Sequence, residues 1–143
     1  MSAAGKILFQ QAMNPFSIST KTLLVASEDD SEELIGFGQI RPLDEEYSEL
    51  ASLYVTPDRR HLGIGSNIVQ ALVDRHHTDD QHSRVCLLTL KPTVPFYEPF
   101  GFRVANEAER KRLPKAIQLE FQAGNVLSFV LGNDLVCMID TAK

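Results

Sequence analysis

The run TPDRRHLGIGSNIVQAL, residues 56–72, constrains the fold of this chain more than any other stretch. Ahead of it, ELASLYV reads as a strand that ends at Pro57. Its alternation puts Leu50, Ser52 and Tyr54 on one side and Glu49, Ala51, Leu53 and Val55 on the other. Beyond Gly63 and Gly65 the period changes. Ile64, Ile68 and Leu72 recur every four residues beside Val69 and Val73, which predicts an amphipathic helix running to about His76. A strand that feeds a helix through a glycine turn belongs to a mixed α/β fold.

The same junction has a chemical consequence. The first four N–H groups of a helix have no partner within it, and the peptide dipoles add about half a positive charge there. Gly63 and Gly65 tolerate positive φ and let a ligand approach the backbone. Arg59, Arg60 and His61 stand beside them. The combination suits a phosphate or pyrophosphate. Two generic nucleotide motifs fail. A dinucleotide fingerprint needs a small residue where Ile68 stands, and a Walker A loop needs Lys-Ser/Thr where the chain has Ser66-Asn67. A plain strand-to-helix junction without a ligand stays open on spacing alone.

The remaining pattern fits one domain over residues 1–143. KTLLVAS and ELIGFGQI read as two strands, with the acidic EDDSEE between them as a solvated hairpin loop. RVCLLTL is apolar throughout and reads as a central strand. TVPFYEPFGF reads as a short helix stopped at Gly101. LPKAIQLEF is a helix with Pro114 in its first turn and Gly124 just past its end, and NVLSFVL is a second short one. LVCMID closes the sheet. HHTDDQHS holds three histidines and two aspartates, but it is short and polar and reads as a solvated loop, so no metal is expected.

Composition narrows the function classes. The chain has 143 residues and a formal net charge of −5, which argues against nucleic acid as a partner. No apolar run approaches the roughly 20 residues that span a bilayer, so no membrane association is expected. The N-terminus resembles neither a secretory signal nor a strong transit peptide, which makes a cytoplasmic location the default. Cys86 and Cys137 sit in apolar strand-like runs and read as buried free thiols.

Two motifs in order carry a family resemblance. RHLGIG resembles the arginine/glutamine–x–x–glycine–x–glycine/alanine signature of the GNAT superfamily of N-acetyltransferases, and FYEPFGF resembles its aromatic–tyrosine signature. One helix and one strand separate them, as in that family. MNPF, LIGFGQIRP and the tail LEFQAGNVLSFV…LVCM are similar to a group of cyanobacterial and plastid-type members, which makes a plastid a second candidate location.

The resemblance implies a GNAT-like mixed twisted sheet flanked by helices, acetyl-CoA as co-substrate, and transfer of acetyl to an amine. It implies that the backbone of Arg60, His61, Leu62, Gly63, Ile64 and Gly65, with Ser66 at the helix start, holds the CoA pyrophosphate. Leu53, Tyr54 and Val55 would pair with the pantetheine arm, the Val55 N–H stabilising the oxyanion. Tyr97 would protonate the departing thiolate, and Glu49, six residues before Val55, would take the amine proton.

Two departures from the family pattern stand out. Leu90 and Thr93 replace the usual Asn and Ala, with Lys91 or Thr93 as substitute partners for pantetheine. Only about twenty residues precede KTLLVAS, so the N-terminus reads as shortened, and a second copy of the chain, as a homodimer, is one way to complete the cleft. The acceptor is left open among a protein lysine, a protein N-terminus and a small amine. The acidic run Asp44, Glu45, Glu46 and Glu49 hints at a cationic one. Arg110, Lys111 and Arg112 read either as a solvated helix face or as a contact to the adenosine 3′-phosphate. A non-catalytic CoA-binding module is the competing functional class.

Overall fold

The computed structural model describes residues 7–11, 23–28, 33–79, 83–131 and 134–141. The N-terminal MNPF, most of the EDDSEE loop, residues 80–82 of the histidine-rich run and the turn at residues 132–133 lie outside them. The chain divides into two units. One comprises Met1–Arg41 and Leu50–Gln81, the other Pro42–Glu49 and His82–Lys143.

The first unit is an antiparallel β-meander carrying one helix. Strands β1 (Ile7–Gln11), β2 (Leu23–Glu28), β3 (Leu34–Pro42) and the second part of β4 (Tyr47–Val55) are hydrogen-bonded in that order. The register runs Ile7↔Glu28 and Leu23↔Gln39, with an irregularity between Ala26 and Ser27. β1 is a strand that the sequence pattern did not reveal, because IleLeuPheGlnGln lacks a clean alternation.

Helix α1 (Ile64–Asp79) packs its four-spaced residues inward, and Ile64, Ile68, Val69, Leu72 and Val73 are all buried. It lies so close to the strands that only glycine fits beneath it. A Cβ on Gly36 would meet Tyr54 O at 2.8 Å and Ile68 Cδ1 at 2.9 Å, and one on Gly38 would meet Leu72 Cδ1 at 3.0 Å. Val55 and Leu53 border the same two glycines, so they share the helix-facing side. α1 continues past His76, through part of the segment expected to be a loop. Thr78 Oγ1 donates to Asp74 O at 3.0 Å, Gln70 Nε2 to Asp74 Oδ1 at 2.8 Å, and two histidines in the last turn suit the negative end of the dipole.

The second unit orders its strands as β4 (through Tyr47–Glu49), β5 (Arg84–Leu90), β7 (Leu135–Asp140) and β6 (Phe102–Val104). Glu49 pairs with Cys86 in a parallel ladder, while Cys86↔Ile139, Leu88↔Cys137 and Phe102↔Asp140 are antiparallel partners. The mixed parallel and antiparallel pairing, with helices on the sheet, agrees with the expected mixed α/β class. Cys86 and Cys137 are free and buried, as expected.

Three helices complete this unit. α2 (Val94–Tyr97) lies between two single-turn 3-10 segments, the second of which stops where Gly101 takes φ +95°. α3 (Glu107–Lys111) opens on a capping box, in which Asn106 Oδ1 accepts from Glu109 N at 2.9 Å and Glu109 Oε1 accepts from Asn106 N at 3.0 Å. α4 (Lys115–Leu131) is one continuous helix rather than two. Gly124 is inside it, not past its end, because a Cβ there would stand 2.6 Å from Leu135 Cδ2. This glycine serves helix-to-strand packing and not termination. No helix among the described residues is long and apolar enough to cross a membrane.

Candidate active site

The glycine loop lies in the first unit, where the backbone changes direction repeatedly. Pro57–Arg59 forms a 3-10 turn, closed by Arg59 N–H donating to Thr56 O at 2.9 Å. His61 then takes φ +68° and Gly63 φ +81°. Among the described non-glycine residues only His61 has positive φ, so Leu62 and Ile64 on either side of Gly63 are negative. The sign of φ therefore alternates over residues 61–64. Such alternation turns successive N–H groups toward one side and makes an anion-binding concavity.

The helix adds to this. Asn67 N–H closes the first turn onto Gly63 O at 3.1 Å. The N–H groups of Ile64, Gly65 and Ser66 precede that bond and have no helical acceptor. Gly65 is already helical, so the positive φ that it tolerates is not used; His61 takes that conformation instead. The sequence held a signal for this, since histidine is among the non-glycine residues enriched at positive φ. Around Gly63 a Cβ would meet nothing within 4 Å, so the cradle is open.

Arg60 does not reach outward as a free charge. Its Nε donates to Val55 O at 2.9 Å, and its guanidinium lies 5.6 Å from the Tyr54 ring centroid. Tyr54 in turn packs against Phe37, with ring centroids 5.5 Å apart. The arginine thus braces the loop against β4. Leu62 is well exposed at the tip, 65% accessible. Leu53 and Val55 are half-buried beneath α1.

Within the first unit β4 is the terminal strand. Thr56 N–H donates to Ile35 O at 2.9 Å, toward β3. Alternate residues of a strand address opposite neighbours, so Val55 turns its N–H and C=O away from β3. The Val55 C=O is taken by Arg60 Nε, so the N–H is the group this edge offers to a strand-like ligand arm.

The second unit holds Tyr97 and Glu49. Tyr97 is buried, with edge-to-face contacts to Phe96 at 4.9 Å and Phe102 at 6.2 Å between centroids. Burial raises its phenol above the ordinary tyrosine value, so it keeps its proton through neutral pH. Glu49 is also buried, in register with Cys86, and its charge contributes to raising both the Cys86 and Cys137 thiols.

The two side chains address opposite faces of the sheet in this unit. Phe102, which Tyr97 touches, shares a face with its partner Asp140. Cys86, Cys137 and Ile139 lie on the other face, packed with Leu113 and Ile117. Glu49 is on that second face with Cys86. The register shows this; the residue spacing that suggested both roles carried no information about it.

Two smaller expectations resolve locally. Thr93 Oγ1 donates to Leu90 O at 2.7 Å and lies 2.5 Å from Thr89 Oγ1, so its proton is used inside the turn. Asp44 Oδ1 accepts from the N–H groups of Glu46 and Tyr47, both at 2.8 Å, so this acid shapes the turn before β4.

Solved structures share the fold. The N-acetylglutamate synthase of Neisseria gonorrhoeae, complexed with coenzyme A and N-acetyl-glutamate, matches 95% of this chain at TM-score 0.70 and 15% identity. This chain spans 35% of that enzyme's length. Rv2747 of Mycobacterium tuberculosis, complexed with CoA and NLQ, matches 84% of this chain and 75% of its own at TM-score 0.62 and 22% identity. The ribosomal-protein-S18-alanine N-acetyltransferase of Escherichia coli matches 94% and 92% at TM-score 0.61 and 12% identity. No curated protein sequence matches the chain.

These structures share this chain's α/β fold, and two of them hold CoA. The sequence profile of the acetyltransferase (GNAT) domain matches residues 19–104, more than half of the chain. The chain belongs to this acetyltransferase family.

Proposed function

We propose that residues 1–143 form a single acetyl-CoA-dependent N-acetyltransferase domain. It would move an acetyl group to a primary amine by direct attack in a ternary complex. The observation that carries this reading is the alternating backbone at His61, Leu62, Gly63 and Ile64, followed directly by the free N–H groups of α1. This is a built anion cradle, and it fits a diphosphate. The residues proposed to hold CoA are Arg60 through Ser66 by their backbone and Leu53, Tyr54 and Val55 along the strand edge.

In the proposed step the amine nitrogen attacks the thioester carbonyl, a C–N bond forms, and the C–S bond breaks. The Val55 N–H stabilises the oxyanion. Tyr97 gives its proton to the leaving thiolate, a role suited to a phenol that stays protonated. Glu49 takes the proton that the amine must lose, directly or through water. Its place on the face opposite Tyr97 separates proton removal from proton delivery. The acceptor is a protein lysine, a protein N-terminus or a small amine.

The test is release of free thiol from acetyl-CoA in the presence of pooled peptides, free amino acids and polyamines. Tyr97→Phe is expected to lower turnover by about 10²–10⁴-fold while leaving the CoA dissociation constant unchanged. Glu49→Gln should lower turnover with a shifted pH profile. CoA binding without turnover on any acceptor would leave a binding module in place of an enzyme. Unchanged turnover in Tyr97→Phe would remove the acid role.

A further inference from the structure

A cavity of about 230 Å³ opens in the second unit between α3, α4 and β7. Its floor is apolar, made by Leu113, Ile117, Phe121 and Cys137. Burial raises the Cys137 thiol to about 11, so it stays neutral. Its polar lining comes from Glu107, Arg110, Lys111, Gln118 and Gln122.

The charges in and around that lining are unevenly paired. Glu107 pairs with Lys111 at 3.3 Å, and Glu109 is held by Arg103 through two bonds, at 2.8 and 2.5 Å. Both acids of α3 therefore have their own cation. Arg110 contacts no carboxylate among the described residues. One of its terminal nitrogens makes a long bond of 3.3 Å to Ala105 O, and its guanidinium lies 5.4 Å from the Phe121 ring centroid. The carbonyl and the ring hold the planar fork in place while leaving most of its donors uncommitted. Gln118 Nε2 is occupied by Lys111 O and Leu113 O, at 3.1 and 2.7 Å, so this wall is fixed too.

An apolar hollow with one preorganised, carboxylate-free guanidinium in its lining has a defined complement. We propose that this cavity binds a small organic carboxylate with an aromatic or branched apolar body, the body against Phe121 and the carboxylate on Arg110. The proposal does not depend on the catalytic reading.

The probe is benzoate, with benzamide as its neutral isostere. By calorimetry on the full chain, benzoate is expected to bind at least tenfold more tightly than benzamide. Arg110→Met should abolish that preference. A measurement on the wild-type chain removes any dependence on the variant's folding. In nitrogen-15 NMR spectra benzoate should shift the amides of Arg110, Leu113, Ile117, Phe121 and Cys137, and benzamide at equal concentration should not. Absence of benzoate binding at 10 mM (roughly the weak limit of a specific small-ligand site), equal affinity for the two probes, or shifts centred elsewhere would overturn the proposal.

Discussion

Gly63→Ala probes the cradle with the smallest possible side chain. The added Cβ meets nothing within 4 Å, so no steric clash enters. What remains is the φ of +81°, which costs an L-residue about 1–2 kcal/mol. Two outcomes are physically allowed. If the backbone holds its conformation, the chain loses that stability, and the unfolding temperature falls by about 2–4 °C for each kcal/mol in a domain of this size. If instead the residue relaxes to negative φ, the alternation at residues 61–64 is lost. The cradle then forfeits one or two charge-assisted hydrogen bonds to an anion, each about 1.5–3 kcal/mol. That corresponds to roughly tenfold to a hundredfold per bond in the CoA dissociation constant. Urea denaturation and calorimetry with CoA read the two quantities separately. A folded variant with both stability and CoA affinity unchanged would refute the reasoning, because the strain has to be expressed in one of them.

Gly36→Ala tests the close approach of α1 to β3 and β4. The contact at 2.8 Å is to the backbone oxygen of Tyr54 in β4, which cannot rotate away, so a loss of about 1–3 kcal/mol in urea denaturation is expected; unchanged stability would mean that neither Tyr54 O nor Ile68 presses on this position. Glu109 gives a pH prediction. Its hydrogen bonds to Arg103 hold the carboxyl at about 2, below the ordinary value of 4.5. Its contribution is therefore complete above about 4.5 and is lost as the pH falls toward 2. Glu109→Gln keeps the capping geometry and removes the charge, so its unfolding midpoint should depend less on pH across that window than the wild type's.

Much of the fold follows from periodicity. The helix was legible from residue 64 to about His76 because four-spaced isoleucine and leucine meet one buried face, and β5 because a run of apolar residues needs cover on both sides. The errors share a cause: they depend on contacts distant in sequence. Gly124 reads locally as a helix stop, yet Leu135 dictates it. β1 carries too few alternating residues to announce itself and is defined by its partner β2. The junction of α1 was legible as a glycine turn that opens a helix, since glycine spacing and the four-spaced apolar residues suffice. Its detailed geometry was not, because the second positive φ falls on His61, where only a weak statistical preference speaks for it. The relation of Glu49 to Tyr97 was invisible for another reason. Strand register decides which face a side chain takes, and register is a property of the neighbouring strand.

The loop from Thr56 to Ser66 contains no lysine, and its one well-placed arginine is folded back onto Val55 O and Tyr54. Under the proposed reading this loop grips the diphosphate end of a carrier whose other end is a reactive thioester. Amide groups are not nucleophiles toward such a donor, whereas an ammonium side chain, once deprotonated, would be. A grip built from peptide bonds offers nothing for stray acylation to neutralise, so the chain can hold its own reagent without being disabled by it.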